Sequence, residues 1–259
     1  MKSADHIVFD IDLAREIQQL LLPKNSPTCD WCCLGVKNRM AIGLGGDYFD
    51  FLTAPNGCQV IFLGDVTGHG LTASVVMSLI YGYLHHATAR QCTPLETVAR
   101  VNSFLRSFAT RSDRFDYLFS SSLFFSVIDP ATLSMRYVNA GHVPPMVRRG
   151  DEIFHLLPTG VPLGFFDDPE MFMCSFQFLK GDRLLLTTDG ITDANNDLGE
   201  FFGYGRLEAS LRSFQGDHLE FLDEIYRAIA AFGAAETLKD DCTAIVADFH
   251  DPLSAYSVS

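Results

Sequence analysis

Short turns separate the apolar stretches of this chain, and this spacing restricts the fold more than any other feature. Residues 48–52 and 58–63 flank the Pro-Asn-Gly sequence at 55–57, and three later pairs of apolar stretches flank similarly short turns. These later turns are DPAT (129–132), RGD (149–151) and KGD (180–182). Because parallel neighbours need a crossover of a dozen or more residues, each pair is predicted to be an antiparallel hairpin. The pattern therefore favours antiparallel sheet over a doubly wound nucleotide-binding fold.

Helical patterns cluster in pairs between these strands. Apolar residues recur at helical spacing in five segments, and a final strand is predicted at 243–249. The helical segments are 9–22, 71–89, 94–109, 205–214 and 218–232. Strand blocks alternating with helix pairs predict an α+β fold in which two antiparallel sheets pack face to face with helices outside. We predict one main domain at 24–250, an N-terminal connector or linker helix within 1–23, and a C-terminal tail at 251–259. The first helix either packs on its own domain or serves as a connector or dimerising helix.

Composition and charge narrow the function classes. The 259 residues include 19 basic and 32 acidic side chains, which gives a net charge of −13. A general nucleic-acid or anionic-membrane binder needs a basic face, so neither is expected. No run approaches the roughly 20 apolar residues of a membrane span, and no signal-peptide pattern opens the chain. Seven cysteines without a framework indicate reduced thiols and a cytoplasmic location. The C-x-x-C at 29–32 lacks the second pair of ligands that a zinc site needs.

Acidic residues recur where strands begin or end. Asp47 precedes an aromatic strand, Asp65 and Asp189 end apolar runs, and the doublet Asp240-Asp241 opens the last strand. If these ends meet at one rim, the carboxylates repel each other and either raise their pKa values or recruit a cation. All-oxygen sites favour Mg²⁺ or Mn²⁺ over zinc, and two such ions can hold a nucleophilic water and clamp a phosphoryl group. Each acid taken alone is also compatible with an ordinary turn or cap residue.

The segment GDVTGHGLTAS at 64–74 is rich in glycine and follows an apolar run. It is only superficially similar to a phosphate-binding P-loop, since it lacks the lysine that pairs with phosphate. Its glycines instead allow the Val66 carbonyl to face a metal. His69 and His142 are either general acids or, more commonly for such residues, loop-packing side chains.

Eight stretches in order resemble the SpoIIE/RsbU-type branch of the PPM (protein phosphatase 2C-like) metal-dependent protein serine/threonine phosphatases. They span residues 14 to about 249 and are AREIQQLLLP (14–23), GGDYFDF (45–51), GDVTGHGLTAS (64–74), YVNAGHVPP (137–145), PTGVPLGFF (158–166), GDRLLLTTDGITDANN (181–196), FFGYGRL (201–207) and DDCTAIV (240–246). The resemblance implies a four-layer α-β-β-α sandwich with two Mn²⁺ or Mg²⁺ ions at one end of the sheets.

The resemblance also implies roles for individual residues. Asp65 would bridge both ions, Asp47 and the Val66 carbonyl would hold one, and Asp189 and Asp240 would hold the other. Asp47, Asp65 and Asp189 would thus be the catalytic set, with Asp241 a second choice to Asp240 and no role fixed for Asp193. Gly46 and Gly190 would keep side chains away from the ions. Eukaryotic relatives use an arginine to grip phosphate, for which Lys37 and Arg39 are the candidates here.

The implied reaction is hydrolysis of protein phosphoserine or phosphothreonine by a metal-activated water. The implied substrate is a STAS-domain anti-anti-sigma factor or a similar partner-switching protein. The helix at 9–22 is where an N-terminal sensor or receiver module, or a second copy, would join. The alternative is a catalytically degenerate PPM-fold domain that only binds a signalling partner. A kinase or NTPase is disfavoured because no nucleotide-binding fingerprint is present.

Overall fold

The structure, a computed structural model, describes most of the chain. The described residues are 2–24, 26–27, 29–41, 43–89, 93–111, 114, 116–234 and 239–250, with backbone alone for residues 2–9. The predicted tail at 251–259 lies outside them. Within the described residues, no helix combines the length and apolar character needed to cross a membrane.

The described chain forms helices in the predicted pairs and two sets of strands. The helices are α1 (Lys2–Leu21), α2 (Gly70–Thr88), α3 (Pro94–Ala109), α4 (Asp189–Thr192), α5 (Gly203–Ser213) and α6 (His218–Ala231), and a 3-10 turn spans Asp116–Leu118. The strands are β1 (Cys32–Arg39), β2 (Tyr48–Thr53), β3 (Gln59–Val66), β4 (Ser121–Asp129), β5 (Ser134–Ala140), β6 (Met146–Arg149), β7 (Glu152–His155), β8 (Cys174–Gln177), β9 (Arg183–Thr187) and β10 (Cys242–Phe249).

Two five-stranded sheets carry the fold, and each pair of neighbouring strands is antiparallel. Sheet I has the order β1-β10-β9-β6-β7, and sheet II has the order β2-β3-β4-β5-β8. Helices α5 and α6 pack on sheet I, and α2 and α3 pack on sheet II. The predicted four-layer α-β-β-α sandwich of two antiparallel sheets is therefore confirmed.

The apolar run of β9 is explained by burial on both faces of sheet I. Leu184 and Leu186 belong to the core between the two sheets, whereas Leu185 belongs to the core beneath α5 and α6. Side chains alternate between the faces of a strand, so a strand covered on both sides has no polar face. The same reason accounts for the fully buried run Val60–Leu63 in β3. Both runs end at the same rim of the molecule, next to Asp65 and Asp189.

Local sequence signals explain where the helices begin. Thr93 caps α3 by accepting from the Glu96 amide, and Pro94 occupies the first turn. Asp217 and Glu220 form a complete capping box at the start of α6. The predicted helix boundaries agree with the structure within a few residues, apart from α1, which begins at Lys2 rather than residue 9.

One prediction about strands was wrong, and one strand was missed. The stretches around KGD were expected to form a hairpin, yet β8 pairs with β5 in sheet II and β9 pairs with β10 and β6 in sheet I. The turn is a crossover between sheets, held by Asp182, which accepts from the Leu179 amide and pairs with Arg149. Strand β1 was not predicted, because its second half is polar and lacks the pattern of a strand. It nevertheless pairs with β10 along its full length.

Candidate metal centre

Asp65 lies near the end of β3, in a segment held firmly by β4. It pairs in register with Ser122, and the Ser121 hydroxyl donates to the Asp65 carbonyl at 2.7 Å. The next residue outside the strand, Thr67, donates its amide to the Ser120 carbonyl at 3.0 Å. The backbone that presents the Asp65 carboxylate is therefore fixed before any ligand binds.

Asp47 is buried just before β2 and is held by sheet I, the opposite sheet. Its Oδ2 accepts from the hydroxyls of Thr188 at 2.9 Å and Thr243 at 2.5 Å. Thr243 Oγ1 in turn accepts from the side-chain amide (Nδ2) of Asn38 at 2.6 Å. Since both threonines bind the same oxygen, Oδ1 of Asp47 makes no hydrogen bond within the described residues and keeps its lone pairs.

The two acids of the doublet have different surroundings. Asp241 is buried, and its two oxygens accept from the amides of Ala41 and Gly46, each at 2.8 Å. Asp240 is exposed, and within the described residues its Oδ1 accepts one hydrogen bond, from the neighbouring Asp241 amide at 2.9 Å. The carboxylate of Asp241 therefore holds the loop before Asp47, while Asp240 keeps most of its acceptor capacity.

Glycines bring these backbones close together. A Cβ on Gly46 would lie 2.8 Å from the Val66 carbonyl oxygen and 3.0 Å from Asp65 Oδ1. A Cβ on Gly190, next to Asp189 in α4, would lie 2.0 Å from the Asp241 carbonyl oxygen. Any side chain at either position would collide with these groups.

Electrostatic coupling shows that the acids converge. Burial, followed by repulsion from Asp189, Asp240 and Asp241, raises the pKa of Asp65 to about 8. Burial and then Asp65 raise the pKa of Asp47 well above its usual range. Burial and then Asp240 raise the pKa of Asp189. The structure thus brings acids from both sheets into one cluster, as expected for strands that end at a common rim.

A cleft of about 280 Å³ opens beside this cluster. It is lined by Asp65, Asp189, Thr67, Ser122, Gly141, His142, Val143, Pro162 and Phe165. No lysine or arginine is among these lining residues, so no basic side chain of the cleft offsets the carboxylates. Such a site has room for a small phosphorylated group beside the acids.

The donor set fits Mg²⁺ or Mn²⁺ in its chemistry. Carboxylates and a backbone carbonyl are the ligands that these ions prefer. The raised pKa values reflect burial first and then repulsion between neighbouring acids. As the described side chains stand, no three His, Cys, Asp or Glu groups are close enough to enclose an ion by themselves. Water ligands and closer approach of the carboxylates would have to complete a shell.

Other candidates from the sequence have different surroundings. Lys37 pairs with Asp223 at 2.5 Å, and both Lys37 and Arg39 stack over the Tyr226 ring. His69 is exposed at the start of α2, where its side chain makes no capping hydrogen bond. Lys37 is therefore already engaged away from the cleft.

His142 and Asp193 lie closer to the cluster. Burial lowers the pKa of His142 to about 3, so its ring is neutral at pH 7 and a poor general acid. Asp193 ends α4 and contributes to the raised pKa of Asp189. Sequence reasoning missed Thr188 and Thr243, although each is a hydroxyl residue close to an acid in TTDG or DDCT.

The sequence comparisons place the chain among phosphatase-related proteins. The family model for Stage II sporulation protein E (SpoIIE) matches residues 55–250. Protein IcfG from Synechocystis sp. is 27% identical over 259 residues, covering 91% of this chain and 41% of that protein. Phosphoserine phosphatase RsbP from Bacillus subtilis is 26% identical, covering 71% of this chain and 45% of that protein. The chain thus spans less than half the length of these two curated relatives.

Solved structures share the fold. The SiaA-PP2C domain of Pseudomonas aeruginosa superposes with a TM-score of 0.80 at 19% identity, covering 97% of this chain and 100% of that one. The PP2C phosphatase domain of SpoIIE from Bacillus subtilis gives a TM-score of 0.72 at 19% identity, covering 85% of this chain and 62% of that one. The relatives named phosphatases and the PP2C-type structures support a PPM-type phosphatase domain. Because the family model covers most of the chain, this protein belongs to the SpoIIE family.

Proposed function

We propose that this chain is a metal-dependent protein phosphatase that hydrolyses phosphoserine or phosphothreonine. The observation that carries the proposal is the meeting of Asp47, Asp65, Asp189 and Asp240 beside one cleft without a basic partner in its lining. Names of relatives such as phosphoserine phosphatase RsbP support the same reaction.

In this proposal, the chain would hold two divalent ions, Mn²⁺ or Mg²⁺, and Asp65 would contribute to both. Asp47 and the Val66 carbonyl would hold one ion, and Asp189 and Asp240 would hold the other. When bound, the two ions supply activation of water and neutralisation of phosphoryl charge. The protein's own contribution is to present the acids on fixed backbones.

Two sets of hydrogen bonds do this positioning. Thr188 and Thr243 hold Oδ2 of Asp47 and leave Oδ1 for a ligand. Asp241 fixes the loop at Gly46, and the bare Gly46 Cα leaves the Val66 carbonyl accessible to the site. Asp241 is therefore proposed as a positioning residue, whereas Asp240 is a ligand.

The proposed substrate is a phosphorylated STAS-domain anti-anti-sigma factor or a similar partner-switching protein in the cytoplasm. Support comes from the relatives RsbP and RsbU, both named phosphoserine phosphatases, and from a structural neighbour whose description concerns the bacterial stressosome. An N-terminal module or a second copy would join through α1, where Leu13, Ile17 and Leu20 are exposed. These apolar side chains lie about one helical turn apart, as in a helix that packs on a partner.

The test is phosphate release from p-nitrophenyl phosphate and from a phosphoserine peptide, measured after EDTA treatment and titration with Mn²⁺ or Mg²⁺. We expect metal-dependent turnover that falls at least about 100-fold in Asp65→Asn, because a loss of ~3 kcal/mol in transition-state stabilisation has this effect. The exposed Asp197→Asn is the matched control and should retain full activity.

Two outcomes would contradict the proposal. Turnover in Asp65→Asn near the wild-type rate would show that this carboxylate is not needed. A wild-type chain that stays inactive at millimolar Mn²⁺ but still captures a STAS-domain protein would instead favour the binding-only alternative.

A further inference from the structure

His142 lies where the chain passes from one sheet to the other. It follows β5 of sheet II, and the chain enters β6 of sheet I only four residues later. The side chain is 2% exposed although histidine is a polar residue. Its amide donates to Asn139 Oδ1 at 2.8 Å, and Asn139 in turn donates to the Leu156 carbonyl at 3.1 Å. The ring is therefore held at a fixed place between the sheets.

The ring is hydrogen-bonded to one acid-bearing part of the molecule and lies near the other. Nδ1 lies 2.8 Å from the hydroxyl of Ser122, which pairs with Asp65 across the β3–β4 ladder. The backbone carbonyl of Thr187 lies close enough to the ring to oppose the lowering of its pKa, although Nε2 makes no hydrogen bond within the described residues. Thr187 ends β9, two residues before Asp189. A single side chain thus lies between the strand beside Asp65 and the strand that leads to Asp189.

The chemistry of these neighbours decides how the ring is protonated. The ring is neutral and therefore has one N–H donor and one acceptor nitrogen. The Thr187 carbonyl can only accept, which favours the tautomer with the proton on Nε2 and the Ser122 hydroxyl donating to Nδ1. Nε2 is buried and has no hydrogen-bond partner within the described residues. Its contact with Thr187 is therefore looser than the Ser122 contact, and a substrate in the cleft cannot reach this nitrogen without rearrangement.

We propose that His142 is a positioning residue that sets the spacing between Asp65 and Asp189 through Ser122 and Thr187. The inference rests on the proposed function in so far as those two acids hold metal ions. It assigns to the ring a role in geometry, without any proton transfer. A neutral donor–acceptor bridge suits this place because it adds no charge to the carboxylate cluster.

The experiment compares four variants with the wild-type chain. His142→Ala removes both contacts, Ser122→Ala removes only the contact on the Asp65 side, and His142→Gln restores a donor and an acceptor. Val138→Ala is the control for general destabilisation, since Val138 is fully buried in β5 but belongs to the apolar core. Thermal unfolding of all variants provides the common reference for stability.

The first readout needs no metal. Hydrogen exchange is followed by NMR in EDTA at the amides of Val66, Thr67, Thr188 and Ile191, which all make backbone hydrogen bonds near the acids. In His142→Ala we expect exchange at all four amides to become at least about tenfold faster than in Val138→Ala. In Ser122→Ala only Val66 and Thr67 should change, and His142→Gln should be close to the wild type.

The second readout is Mn²⁺ binding by calorimetry. We expect Kd in His142→Ala to weaken by about 10-fold, the usual effect of removing a group that orients ligands, with recovery in His142→Gln. Equal exchange in His142→Ala and Val138→Ala would overturn the positioning role. If the wild-type chain binds no Mn²⁺ but the exchange pattern appears, the proposed function fails and the positioning role stands.

Discussion

Replacing Asp65 with asparagine should make the metal-free protein more stable, although it removes the central acid of the site. Burial and three neighbouring carboxylates raise the pKa of Asp65 to about 8 in the folded chain, compared with 3.8 for an unperturbed aspartate. Between these two values the folded state holds a proton that the unfolded state has released. The stability of the wild-type chain therefore falls as the pH rises through this window.

The magnitude follows from the width of the window. Each pH unit above the lower pKa reduces the free energy of unfolding by about 1.4 kcal/mol until the higher pKa is reached. At pH 7 the ionisable Asp65 therefore lowers the stability of the metal-free chain by on the order of 4 kcal/mol. Asparagine has a similar shape and cannot ionise, so Asp65→Asn avoids the penalty. The gain in the free energy of unfolding should be near zero at pH 4, grow with pH, and level off above pH 8.

The assay is urea unfolding followed by circular dichroism, in EDTA, at half-unit steps from pH 4 to pH 8.5. Asp197→Asn removes an exposed acid outside the cluster and should change stability by no more than about 0.5 kcal/mol at any pH. A destabilised Asp65→Asn chain, or a gain that is the same at pH 4 and pH 7, would refute the electrostatic reasoning. Saturating Mn²⁺ should reverse the order, because the wild-type chain gains binding energy that the variant loses.

Two further predictions concern the loop before Asp47. Gln18 is buried, and its side-chain amide forms two hydrogen bonds with the Gly45 backbone, at 2.7 and 3.0 Å. Gln18→Ala should therefore lower the free energy of unfolding in urea by about 2–4 kcal/mol. Replacing the exposed neighbour, Gln19→Ala, should leave it unchanged. Asp241→Ala should destabilise the fold by at least about 2 kcal/mol, while Asp240→Ala should weaken Mn²⁺ binding in calorimetry without loss of stability. The opposite pattern for the doublet would exchange the two proposed roles.

The two-sheet architecture was predictable because its signals are local. Turns of three or four residues and the 3.6-residue period of helices such as α3 are visible within short windows of sequence. Strand β1 was missed because its signal is not local. Its residues pair with β10, some 200 positions later. Gly35 in β1 has no side chain, and a Cβ at this position would lie only 2.9 Å from Leu222 of α6. Tertiary pairing has therefore overridden a weak local preference.

The wrong hairpin between β8 and β9 has a related cause. A short turn between apolar stretches predicts a hairpin only if both strands stay in one sheet, and the sequence does not report which sheet each strand joins. Here Asp182 pairs with Arg149 of β6, which fixes the turn next to sheet I while β8 remains on sheet II. The same limitation applies to the site. The acids could be predicted from their strand-end positions, but Thr188 and Thr243 contact Asp47 only because the two sheets face each other.

The aspartate cluster is held by neutral hydrogen-bond donors, which explains why it should bind cations from solution. Asp47 is bound by two hydroxyls and Asp241 by two backbone amides, all of them neutral donors. Within the described residues, no lysine or arginine is among the main groups that lower the pKa of these acids, and none lines the cleft. With Asp65, Asp189 and Asp240, the cluster reaches five negative charges when fully ionised, and two divalent ions would bring four positive ones. A basic side chain in this place would have stabilised the metal-free protein, but it would also have competed with the ions. The repulsion between the acids lowers the stability of the metal-free fold, and the same repulsion leaves the site able to bind cations.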